Sequence, residues 1–95
     1  MIDLVKVRQV EALDSRRLRI AFSNGAEGIR DFADMLEEGG QMVEPLRDPA
    51  MFKRAFVQCG VVAWPNGFDI DAIQLYMEMK DQGALKMPLH EPAAS

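Results

Sequence analysis

The sequence predicts a small α+β domain, an antiparallel β-meander packed with two or three short helices in a single unit. Three observations predict it. Leu18, Ile20 and Phe22 alternate with Arg17, Arg19 and Ala21 and run into Asn24-Gly25, the pattern of a half-buried strand entering a hairpin. Val61-Val62-Ala63-Trp64 is a short apolar run closed by Pro65-Asn66-Gly67, as expected of a buried strand that stops at a turn. Asp71, with Gln74 three residues on, opens a helix that Gly83 closes.

Val5 and Val7 alternate with Lys6 and Arg8, and Val10 and Ala12 follow in the opposite phase, so the first strand carries a bulge near Gln9. Asp14-Ser15 is a turn, and the strand of Leu18, Ile20 and Phe22 follows. Asn24-Gly25 reads as a two-residue hairpin loop, with Ala26 to Phe32 as the returning strand. From Asp31 a short helical turn begins, acidic early (Asp34) and stopped by Gly39-Gly40. Asp48-Pro49 marks a second start: Asp as cap, Pro in the first helical position, and Phe52, Ala55 and Phe56 on one face. Phe56 to Cys59 and Val61 to Trp64 read as short strands around Gly60. The last helix runs from Ala72 to about Lys80, with Ile70 and Leu75 placed to staple its first turn. The domain thus spans residues 1–83, and 84–95, with Pro88 and Pro92 and no period, reads as a flexible C-terminal tail.

Composition narrows the function. Ninety-five residues make one domain with a modest core. No apolar run is long enough to span a membrane, and the start lacks the regions of a signal peptide. One cysteine, Cys59, leaves no internal disulfide, which points to a reduced, cytoplasmic protein. The net charge of −4 disfavours general binding to nucleic acid or anionic membranes, but it is unevenly spread. Residues 1–30 carry six basic and four acidic side chains, residues 31–95 five basic and eleven acidic.

The quoted residues resemble a known family. Phe22-Ser23-Asn24-Gly25, then Asp31 before an apolar helical turn, Pro45-Leu46-Arg47-Asp48-Pro49 with Phe52, and Val62-Ala63-Trp64-Pro65-Asn66-Gly67 with Asp69, Asp71 and Leu75-Tyr76 are similar to the bacterial family catalogued as domain of unknown function 2442 (DUF2442). The likeness covers roughly residues 4–77. It implies a small α+β fold and a link to toxin–antitoxin gene pairs in the antitoxin role. It supplies no catalytic residues.

Few residues suggest chemistry. His90, the only histidine, lies in the Pro-flanked segment with nothing to orient it. Cys59 reads as a buried structural thiol of a strand rather than a nucleophile. Asp69 and Asp71 with Asn66 could hold a hard cation, but a turn carboxylate and a helix cap explain them without one. Asp31, Asp34, Glu37 and Glu38 read as a solvated helix face. Met77, Met79 and Met87 are core filling or an adaptable surface. No phosphate-binding glycine pattern exists. The expectation is a protein without enzymatic activity, metal or cofactor. Its best candidate site is a basic hairpin face: with Val5, Val7, Leu18 and Ile20 inward, Lys6, Arg8, Arg17 and Arg19 point outward together. Two readings follow. The first is an antitoxin-like protein-interaction module. The alternative is a regulator that contacts nucleic acid through this face, as a homo-oligomer.

Overall fold

A computed structural model describes residues 5–86. The order of elements is β1 (Val7–Ala12), β2 (Arg17–Phe22), β3 (Glu27–Asp31), α1 (Ala33–Glu38), a 3₁₀ turn (Glu44–Arg47), α2 (Pro49–Phe52), β4 (Phe56–Gln58), β5 (Val61–Ala63), β6 (Asp69–Ile70), α3 (Ala72–Asp81) and β7 (Leu85–Lys86). Two antiparallel sheets result, one of four strands in the order β1-β2-β3-β7 and one of three in the order β4-β5-β6. The α+β class and the meander are as the alternation implied. The bulge falls where the phase changes: Val7 pairs with Phe22 and Gln9 with Ala21, leaving Arg8 as the extra residue.

The sheets and helices close over one core. Leu18, Ile20 and Phe22 of β2 are fully buried, and so are Phe32, Leu46, Phe52, Val62, Leu75 and Met79. Trp64 anchors it. Its indole N–H donates to the Phe52 carbonyl at 2.9 Å, so the ring is buried with its polar atom satisfied. Phe32, Phe52 and Phe68 surround that ring, with centroids 5.6–6.4 Å away.

Local signals explain the ends of the helices. The Asp48 carboxylate accepts from the N–H of Ala50, and Asp71 accepts from the N–H of Gln74 at 2.9 Å. The Gln74 side chain does not return to the cap, and instead reaches Glu78. At the other end of α3, Ala84 N–H bonds the Met79 carbonyl and Gly83 N–H that of Lys80, a Schellman stop. Arg47 closes α1 by donating to the carbonyls of Leu36 and Glu37.

Four expectations are corrected. The β2–β3 hairpin has a three-residue loop, not two: Phe22 N–H bonds the Ala26 carbonyl across Ser23-Asn24-Gly25, and Gly25 takes φ +92°. A type I turn with a glycine bulge closes it, because the Asn24 carboxamide accepts from the Ala26 N–H and fixes that shape. The two-residue loop is Cys59-Gly60, both at positive φ, between the paired Gln58 and Val61. Cys59 is therefore exposed at a turn apex, not buried in a strand. Phe56 lies half-exposed in β4, where its strand reading put it, and not on a helical face, because α2 ends at Phe52. Finally, the segment after Gly83 begins as structure. β7 pairs with β3, Glu27 opposite Lys86 and Gly28 opposite Leu85. Gly28 permits this approach, since a Cβ there would lie 2.0 Å from the Ala84 carbonyl oxygen. Residues 87–95, with Met87 and His90, lie outside the described residues.

Candidate functional site

The larger sheet has a covered face and an open one. Pairing sets which residues share the open face, since directly opposed residues point the same way. Arg19 lies opposite Glu11 on one side and Ile29 on the other, and Arg17 lies opposite Asp31. Ala21 lies between Gln9 and Glu27, and Glu27 lies opposite Lys86. Two shallow hollows cross this face and share Arg19 and Glu27. One is bounded by Ala55, Phe56 and Val57 beside β4, the other by Ile29, Ala84 and Lys86.

The expected basic cluster is only half assembled. Arg17 and Arg19 do share the open face, but each is already paired. The Arg17 guanidinium lies 2.8 Å from Asp14, and that of Arg19 lies 2.9 Å from Glu11. The N–H of Arg16 and the guanidinium of Arg17 hold the Asp14 carboxyl below the usual aspartate range. Arg8 is the unpaired bulge residue, so Gln9 takes the outward place across from Ala21. Lys6 precedes β1, exchanges bonds with Ser23 and lies against the Gly60 turn. Lys6 is drawn to the Gly60 turn, and the bulge that the sequence announced puts Gln9, not Arg8, directly across from Ala21.

Sequence reasoning missed a residue pair in β3. There the inward positions are Ala26, Gly28, Arg30 and Phe32, yet the cation points in while the neighbouring Ile29 points out. Arg30 is 6% exposed and Ile29 is 41% exposed. The signal was present, since Arg30 falls in the apolar phase of the strand and Ile29 in the polar phase. Arg30 is held by Asp34 and Glu78, each at 3.2 Å, by the Asp31 carbonyl and by the Phe32 ring 4.6 Å from its centre. Its Nε has no partner among the described residues. Burial pushes the Asp34 carboxyl upward, but the N–H of Met35 and the Arg30 guanidinium outweigh it and leave the group below its ordinary value.

The Trp-Pro-Asn-Gly segment is architecture. Trp64 N–H bonds the Phe68 carbonyl across Pro65-Asn66-Gly67, and the Asn66 carboxamide accepts from Phe68 N–H and donates to the Met42 carbonyl. Asp69 pairs with Ala63 in β6, and Asp71 caps α3. Both polar ends of Asn66 and one oxygen of Asp71 are thus committed to backbone. No group of three or more His, Cys, Asp or Glu that could hold a metal ion occurs among the described residues. No described helix is long and apolar enough to cross a membrane.

The comparisons agree with the motif. The family described as Protein of unknown function (DUF2442) matches residues 7–81, and the chain belongs to it. No curated protein and no solved structure matches.

Proposed function

We propose that this member of the family of unknown function 2442 is a non-enzymatic protein-interaction module, the antitoxin-like component of a bacterial toxin–antitoxin pair. The observation that carries the interaction reading is Ile29, an exposed aliphatic residue between charged neighbours at the middle of an open sheet face. Phe56, also exposed, edges the neighbouring hollow. Apolar centres with charged surroundings suit a protein partner, whose side chains would cover Ile29 and Phe56 while Arg17, Arg19, Glu11 and Glu27 set orientation. The antitoxin role rests on the family resemblance. A single cysteine suits a cytoplasmic setting.

The nucleic-acid alternative finds less support. A phosphate backbone needs uncommitted cations in a row, and here Arg17 and Arg19 are interleaved with Glu11, Glu27 and Asp31.

Co-expression with the product of a neighbouring toxin-like gene tests the proposal. The wild-type chain should relieve growth arrest and co-purify with that product. Ile29→Asp should fail at both while keeping the wild-type thermal melt. If Ile29→Asp protects and co-purifies as well as wild type, the open face is not the contact.

A further inference from the structure

The open face carries a charge order that suits a second copy of itself. Strand by strand, the outward charges of the residues paired across the sheet change sign: Glu11 on β1, Arg17 and Arg19 on β2, Glu27 and Asp31 on β3, Lys86 on β7. Consider two copies laid face to face about a two-fold axis parallel to the strands. The axis places β1 of one copy over β7 of the other, and β2 over β3. Every charged column then meets one of opposite sign. A two-fold axis across the strands would instead place each strand over its own copy, like over like. The charge order therefore selects one of the two arrangements.

Register sharpens the match. Arg17 and Asp31 stand at the same level of the sheet, so this axis brings Arg17 of each copy over Asp31 of the other. Arg19 and Ile29 are likewise level, so the aliphatic stem of each Arg19 covers the exposed Ile29 opposite. Glu11 and Lys86 are offset by two residues, roughly 7 Å along the strand, within reach of two long side chains. The present partners do not resist the exchange strongly. Arg19 and Glu11 are 50% and 64% exposed, and exposed pairs contribute little. Sheets packed in this way lie about 10 Å apart with strands nearly aligned.

We infer that the open face of the four-stranded sheet pairs with the same face of a second copy of this chain, about a two-fold axis along the strands. The inference rests on the reading of this face as a docking surface and names its occupant when no other protein is bound, a second copy that a toxin would displace. Self-complementary contact of this kind is what a two-fold homodimer requires.

Sedimentation equilibrium at low salt tests it with two reversals, Arg19→Glu and Glu27→Lys. Neither residue is in the core. The wild type should be a dimer that weakens as salt rises. Each variant alone should meet like charge across the axis and dissociate at least about tenfold more readily, the effect of some 1.4 kcal/mol. Mixed in equal amounts they should associate again, because positions 19 and 27 lie on facing strands of the mixed pair, offset by two residues, roughly 7 Å, within reach of their side chains. That recovery would also show both variants to be folded. A monomeric wild type, a single variant that dimerises as well as wild type, or a mixture that stays monomeric overturns the inference. The two proposals fail separately. A monomer that captures a toxin through Ile29 overturns only the dimer, and a dimer that captures none overturns only the antitoxin reading.

Discussion

The two faces of β2 are made from the same six residues and obey opposite rules. Leu18, Ile20 and Phe22 face inward and are wholly buried, while Arg17, Arg19 and Ala21 face outward among Glu11, Glu27 and Ile29. The inner face must fill a volume, so shape decides each residue. The outer face only has to stay hydrated, so its charge order is free to serve association. β3 shows the boundary between these roles. There Arg30 enters the core and Ile29 leaves it, and each needs a special arrangement: two carboxylates and an aromatic ring for the cation, a covering surface for the isoleucine.

The contrast can be broken from the inside first. Phe22→Ala removes a ring packed edge-on to Tyr76 at 5.1 Å and should cost ~3–5 kcal/mol in a urea melt. Trp64→Ala belongs to the same range and in addition leaves the Phe52 carbonyl without its donor. A loss below about 1 kcal/mol for either would mean the inner face repacks freely, against expectation. Gly28→Ala comes next. The new methyl group collides with the Ala84 carbonyl, so β7 must move away at a cost of ~1–3 kcal/mol. Amide exchange at Leu85 and Lys86 should quicken, and unchanged protection there would show that the strand does not depend on the close approach.

Smaller effects belong to the charges. Asp34 titrates below its ordinary value in the folded state. Its contribution is therefore fully present above the unfolded pKa of about 3.9 and is lost as pH falls through the lower folded value. Because the Asp34 carboxylate is mostly exposed, the amount should stay under ~1 kcal/mol. Melts of wild type and Asp34→Asn should differ at pH 7 and converge in acid; a gap that widens in acid would reverse the sign. The smallest change in stability is expected outside. In dilute solution at high salt, where the chain is monomeric, Arg19→Glu should shift unfolding by less than ~0.5 kcal/mol, although it reverses a charge at the centre of the open face. A larger loss would show that the outer face helps to hold the fold.

Most of the architecture was legible because local chemistry decided it. Alternation gave β2 its buried face, Asp48 and Asp71 announced helix starts, and the apolar run ending at Trp64 located the core. Turn type was less legible, and two loops show why. Ser23-Asn24-Gly25 and Pro65-Asn66-Gly67 form the same turn, each with Asn accepting from the N–H two residues on and Gly at positive φ. Asn-Gly favours a two-residue loop when it acts alone. Here the Asn side chain binds ahead, and its amide is anchored elsewhere, to the Tyr76 hydroxyl in one loop and the Met42 carbonyl in the other. Those anchors are distant in sequence. The candidate site was half legible for a related reason. Pairing across strands decides which cations are free, and Glu11 and Asp14 had no evident partners in a linear reading.

One spectrum would test the central claim, that two copies of the chain meet through the open face of the larger sheet. Ile20, Ile29 and Ile73 report on the inner face, the open face and the exposed side of α3 respectively. With isoleucine methyl groups labelled, spectra are compared between dilute and concentrated solutions at low salt. The account predicts that the Ile29 methyl shifts or broadens with concentration while Ile20 and Ile73 stay in place. Movement of Ile73 with a stationary Ile29, or no movement at any concentration, would contradict it.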